Sequence, residues 1–208
     1  MPASLRWIYP AVVAALWVAW FVYWMISARA AKETARSESG GSRAMHVIPL
    51  LLGVLLFASA PQLFARWPWV SMHVLPWRAE TYWVGVALLA AGLAFTVWAR
   101  VRLGRNWSGI ITVKEGHELV RSGPYRWIRH PIYTGLIVAF LGHAIAYNEL
   151  RCFLGVLLCV AALLRKMSIE ERFMREQFGE EYSRYAATTA ALVPLVYWRK
   201  ERRRKAPA

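Results

Sequence analysis

PIYTGLIVAFLGHAIAYNELRCFLGVLLCVAALLRK, residues Pro131 to Lys166, consists of two apolar runs on either side of a tip that carries Glu149 and Arg151. The first run, Pro131 to Asn148, is uncharged and can cross a hydrocarbon layer of about 30 Å at roughly 1.5 Å per residue. The second, Cys152 to Leu164, has only 13 residues and alone would suit a buried core helix. Behind so short a tip it reads as the second arm of a tight transmembrane hairpin that borrows Leu150, Arg165 and Lys166 by snorkelling. The other arrangement open to such a run is a re-entrant segment, which would leave four crossings.

Outward from this hairpin, three more uncharged runs extend over Trp7 to Ala28, Ala44 to Ala65 and Thr81 to Ala99. Together they predict an all-α, polytopic membrane protein with five transmembrane helices and one domain over residues 1–208. The composition agrees, because 58% of the 208 residues are hydrophobic and 12 are Trp. One soluble core could not hide so many bilayer-length runs, so a soluble single-domain enzyme is excluded. The first run has no small-residue cleavage signal near its end and reads as a retained helix, not a removed signal peptide.

A formal net charge of +14 could indicate a nucleic-acid partner. Here, however, the basic residues cluster between apolar runs, as loops facing anionic lipid require, so the expected partner is the bilayer and no nucleic acid. Of 26 Lys and Arg, 22 fall in the first loop, the third loop and the segment from Arg165 to Lys205, against Arg6, Arg66, Arg78 and Arg151 on the other side. The positive-inside tendency therefore places those loops and the C-terminus in the cytoplasm, in the cell inner (plasma) membrane. The tail KERRRK, Lys200 to Lys205, follows Tyr197 and Trp198 and reads as a headgroup anchor. Ser37 to Ser42 reads as a flexible connector. Trp7, Trp17, Trp20, Trp24, Trp67, Trp69 and Trp77 read as belt or lipid-facing aromatics. His46, His73 and His143 read as packing or interfacial residues without acidic partners. Cys152 and Cys159, seven apart in an apolar helix, indicate neither a disulfide nor a metal site.

Two cytoplasmic segments, residues 100–135 and 165–198, are left to carry the chemistry. The first, RVRLGRNWSGIITVKEGHELVRSGPYRWIRHP from Arg100 to Pro131, is the longest charged connection. Gly104 and Asn106 mark a turn, Ile110 to Val113 is short and β-branched, and Gly116 reverses it. Pro131 suits the first turn of a helix, where its missing N–H costs nothing. That helix start leaves backbone donors beside Arg129 and His130, which favours an anionic or carboxylate-bearing ligand. Tyr133 adds a hydroxyl and a ring, and Gly135 permits close approach. A purely structural reading is equally open: Arg129 snorkelling, His130 capping, Tyr133 in the aromatic belt. In the second segment, Glu170 and Glu171 adjoin the apolar hairpin, where a carboxylate needs a cation, an Arg or a hydrogen-bonding ligand. A cytosol-opening pocket between the Pro131 and Glu170 turns would suit a cofactor carrying both positive charge and a carboxylate.

LGRNWSG (Leu103 to Gly109), KEGHELVRSGPYRWIRHPIYTG (Lys114 to Gly135) and EERFMREQFGEEYSRY (Glu170 to Tyr185) resemble the isoprenylcysteine carboxyl methyltransferase family of integral membrane enzymes, related to phospholipid methyltransferases. The resemblance implies S-adenosyl-L-methionine as cofactor and a lipophilic or small, membrane-associated acceptor, such as the carboxylate of isoprenylcysteine. It implies that His117, Leu119, Val120, Gly123, Tyr125, Arg129, His130, Pro131 and Tyr133 line or shape the cofactor site, which Glu170 and Glu171 close. Arg129, His130, Tyr133 and Glu171 are the expected catalytic residues. Asn106, Trp107 and Ser108 match an extension found in bacterial relatives. One position departs: the family's substrate-facing Arg after the paired tyrosines aligns with Ala191, and Arg126 or Arg129 are candidate substitutes. A nicotinamide-dependent membrane reductase and an inactive membrane scaffold are the alternative readings.

Overall fold

The structure is a computed structural model that describes residues 8–29, 34–58, 61–76, 78–107, 112–114 and 119–193. Its elements are α1 (Ile8–Ala28), β1 (Thr34–Ser37), α2 (Gly40–Ala58), α3 (Ala79–Leu103), β2 (Thr112–Lys114), α4 (Pro131–Tyr147) and α5 (Leu150–Thr188). Four helices, α1, α2, α3 and α5, are long and apolar enough to cross a membrane. The expectation of five is corrected at the hairpin. The first arm, α4, is the short one, with 17 residues and a length of about 25 Å. The second arm, expected to be short, is a 39-residue helix that runs on past Arg165 and Lys166 into the charged Glu170 region without a break in pairing. The hydrophobic run ended at Leu164, but nothing in the charged sequence beyond it breaks a helix until Gly179, whose φ of 51° and ψ of −123° kink α5.

The small residues set the packing. A Cβ on Gly142 would lie 2.3 Å from the Leu89 nitrogen, and one on Gly85 2.4 Å from the Ala146 nitrogen. Gly92 and Gly135 meet in the same way further along, so α3 and α4 run antiparallel with their backbones in near contact. Gly53 and Gly155 do the same for α2 and α5, where a Cβ on Gly53 would meet Cys159 Sγ at 2.5 Å. α1 is attached to this pair of pairs by side chains. The indole N–H of Trp20 donates to Thr96 Oγ1 at 2.6 Å and that of Trp17 to His143 Nδ1 at 3.1 Å. Arg100, buried, donates to the carbonyl of Ser27 at the end of α1 at 2.6 Å. Large apolar side chains such as Phe21, Met25, Leu51 and Leu55 remain exposed on α1 and α2, the faces a lipid layer would cover.

The hairpin tip packs against the chain before α3 and the end of α2. Asn148 adopts a left-handed conformation and exchanges side-chain hydrogen bonds with the backbone of Leu75. Arg151 is fully buried, pairs with Glu149 at 2.6 Å and donates to the Leu56 carbonyl at 2.6 Å, capping the end of α2. The all-α plan holds, with a short antiparallel ribbon of β1 and β2 beside the helices. Two further expectations are amended. The connector at Ser37 to Ser42 is ordered, with Ser39 Oγ accepting from the Ser42 amide at 3.3 Å at the start of α2. His46 has an acidic partner, Glu38, at 3.4 Å. Trp67 and Trp69 are exposed as expected, whereas Trp17, Trp20 and Trp24 turn inward. Trp7, Trp77, Gly116 and the tail after Val193 lie outside the described residues.

Candidate active site

His130 is the residue before α4, and Pro131 occupies the first helical position. The chain reaches it through a 3-10 turn at Gly123–Arg126, whose Gly123 has φ 59° and no room for a Cβ, since Arg102 Cγ would lie 2.7 Å away. Residues 190–192 then run alongside. The Arg129 amide donates to the Ala190 carbonyl at 2.9 Å, and the His130 amide to the Ala191 carbonyl at 3.1 Å. By this pairing and the return of the hairpin, two segments about forty positions apart in the chain share one site.

His130 lies between the two carboxylates, with Nδ1 3.6 Å from Glu170 Oε2 and Nε2 3.4 Å from Glu171 Oε1. The Tyr133 hydroxyl donates to Glu170 Oε1 at 2.5 Å, and its ring stacks parallel to the imidazole. Burial alone would lower the His130 pKa, but the hydrogen bonds and charges of Glu170 and Glu171 outweigh it and raise the value above the usual 6.5. Burial likewise works to raise both carboxyls. His130 and Arg129 prevail at Glu171, held at about 2, and His130 and Lys166 lead the groups that lower Glu170. Each shift favours the charged form of its group, so the imidazole and the two carboxylates support one another.

The two glutamates have different positions. Glu170 faces a cavity of about 290 Å³, whereas Glu171 stands behind the wall, gripping Arg129 Nε at 2.9 Å and Arg175 at 2.9 Å. Arg129 also donates to the carbonyls of Ala186 (3.0 Å) and Thr189, closing the end of α5. Of the residues expected from sequence, Leu119, Val120, Tyr125, Arg129, His130, Pro131, Tyr133 and Glu170 line the cavity, as do Asn106 and Trp107. Gly123 shapes the approach without lining it. His117 and Ser108 lie outside the described residues. Arg126 is exposed and does not reach the cavity.

Sequence reasoning missed the other end of this cavity. Trp20 and Trp24 of α1, Leu50 of α2, Leu136 of α4 and Leu163 of α5 form an apolar chamber, and Lys166, Tyr182 and Tyr185 also face in. Trp20 and Trp24 stack at 4.7 Å between ring centres, and Trp24 meets Trp107 edge-on at 5.5 Å. The paired tyrosines of the quoted motif were the one available signal, since Tyr182 and Tyr185 come after the Gly179 kink that turns them back across the site. Among the described residues no cluster of His, Cys, Asp or Glu could hold a metal ion.

The sequence profile of the phospholipid methyltransferase family matches residues 80–181, the span from α3 to Glu181 that builds both walls of the site. A probable protein-S-isoprenylcysteine O-methyltransferase of Oryza sativa subsp. indica is 29% identical over 124 residues, 56% of this chain and 65% of the relative. The second half of the chain is thus similar to the isoprenylcysteine and phospholipid methyltransferases. Another relative in this methyltransferase family, protein-S-isoprenylcysteine O-methyltransferase A of Arabidopsis thaliana, is 27% identical over 154 residues, 73% of this chain and 74% of the relative. The solved eukaryotic intramembrane Ras methyltransferase, isoprenylcysteine carboxyl methyltransferase, has the same fold at a TM-score of 0.51 and 19% identity, covering 77% of this chain and 55% of that one. The chain thus spans just under two thirds of the length of the rice relative.

Proposed function

We propose that the chain is an integral membrane methyltransferase that takes the methyl group of S-adenosyl-L-methionine to a lipophilic or small membrane-associated acceptor. The observation that carries this is the single cavity with a charged end at His130, Tyr133 and Glu170 and an apolar end at Trp20, Trp24 and Leu163. The residues fit the cofactor. Glu170 offers a carboxylate to an ammonium group. The first turn of α4 leaves the amides of Ile132 and Tyr133 without intrahelical acceptors, which suits a carboxylate. Tyr125, Tyr182 and Tyr185 supply ring faces to a cationic sulfur. Bound there, the cofactor would supply an electrophilic methyl on positively charged sulfur.

The protein's own contribution is placement in a dry cavity. Glu171 fixes Arg129 and His130, His130 and Tyr133 fix Glu170, and the inward tryptophans exclude water. We place the site, with segments 100–135 and 165–198 of one domain, on the cytoplasmic side of the cell's inner membrane. Calorimetry of the full chain in detergent tests the reading. S-adenosylmethionine should bind, and Glu170→Gln or His130→Ala should weaken it at least tenfold. A folded preparation that binds none would sink the proposal.

A further inference from the structure

The apolar end of the cavity stops at one level of the bundle. Its deepest lining residues are Trp20 of α1, Leu50 of α2, Leu136 of α4 and Leu163 of α5. Further into the membrane the same helices carry a layer of packed rings. Trp17 stacks on Phe140 with ring centres 5.7 Å apart, Phe140 on Phe57 at 5.3 Å, and Phe57 meets His143 at 4.8 Å. None of these four lines the cavity, and Phe57, Phe140 and His143 are buried.

Trp20 is fixed above this layer. Its indole N–H donates to Thr96 Oγ1 at 2.6 Å, and that buried hydroxyl donates in turn to the Leu93 carbonyl at 2.7 Å, so both groups are committed and the indole is held at the end of the chamber. Leu136 has Phe140 one turn behind it on the same face of α4. From Glu170 at the charged end to Leu163 at this level, α5 rises only about 10 Å, whereas half the hydrocarbon of a bilayer is about 15 Å thick. The whole cavity, about 290 Å³, is at the small end of ligand sites, which run from roughly 300 to 1,000 Å³. A membrane-length chain laid into the chamber would run into Phe140 and Trp17, which are packed against each other.

From this geometry we infer that Trp20 and Leu136 set a length limit on the acceptor: the site takes a compact apolar molecule or one with a short hydrocarbon tail, and excludes a prenyl or acyl chain of membrane length. The inference rests on the methyl-transfer reading and narrows its acceptor by size, whatever atom receives the methyl.

The test uses the full chain in detergent, saturated with S-adenosylhomocysteine, and the straight-chain alcohols from 1-butanol to 1-dodecanol, with calorimetric affinities referred to the free alcohol in water. Affinity should rise over the shorter members, as each methylene finds apolar wall, and fall at least tenfold by 1-dodecanol. Leu136→Ala should move the fall to a longer alcohol and Leu136→Phe to a shorter one. Affinity that climbs through 1-dodecanol, no binding of any alcohol, or a limit that neither variant moves overturns the inference and leaves the cofactor site standing. Failure of the parent to bind S-adenosylhomocysteine overturns both.

Discussion

Glu171 illustrates how a carboxylate can matter to a site without lining it. Its two oxygens take Arg129, Arg175 and the His130 ring, so Glu171→Gln strips charge from three cations at once. The expected outcome is a loss of about 1–3 kcal/mol in stability, read by thermal melting in detergent, with weaker cofactor binding because His130 is no longer braced. The pH dependence has a definite sign. A raised His130 pKa means its stabilisation is complete below 6.5 and is lost as pH rises through the folded value. A Glu171 pKa near 2 means its contribution is present above 4.5 and is lost as pH falls towards that value. The melting-temperature difference between the parent and His130→Ala should therefore be greatest between pH 4.5 and 6.5 and shrink above it. A difference that grew with rising pH would contradict the pairing. Tyr182 shows the limit of reading residues singly: its motif was legible, but its return to the cavity depends on the backbone at Gly179.

Among the helices, the antiparallel contact of α3 and α4 is the most demanding. Gly142→Val would force a branched side chain where even a Cβ is 2.3 Å from the backbone of α3, and the pair must separate. We expect no folded, monodisperse protein by size exclusion. Gly41→Ala is the contrasting case, because nothing lies within 4 Å of its added methyl and the position is helical. It should leave the fold intact and raise stability by up to about 1 kcal/mol. The hairpin itself was legible from its charged tip and Pro131. The lengths of its arms were not, because hydropathy reports where a helix leaves lipid and not where it stops being helical.

For the molecule as a whole, the proposed topology puts the hairpin tip and the Glu170 region on opposite sides of the membrane. The two native cysteines are buried and give a low labelling background. Trp67→Cys and Ser183→Cys, at exposed positions, should be labelled by an impermeant maleimide from the outer and cytoplasmic sides respectively. Labelling of both from one side would refute the arrangement. The cavity joins α1 to the rest of the bundle at the same level as the apolar chamber, so detaching α1 by Trp20→Ala should enlarge that chamber and weaken binding of an apolar acceptor more than of the cofactor.

The order of the apolar runs, the Pro131 helix start and the quoted motifs were sufficient for the membrane class, the hairpin and the expectation of a pocket between the Pro131 and Glu170 turns. These follow from local chemistry: a run without charges partitions into lipid, and a proline ahead of an apolar run suits the first turn of a helix. Which face of each helix meets protein and which meets lipid came only from the assembled bundle. Both environments are apolar, so hydropathy cannot distinguish Trp20 against a cavity from Trp67 at the surface. Close backbone approach at Gly85, Gly92, Gly135 and Gly142, the burial of Arg151 and the inward turn of Lys166 are likewise properties of two surfaces meeting, which no single stretch of chain contains.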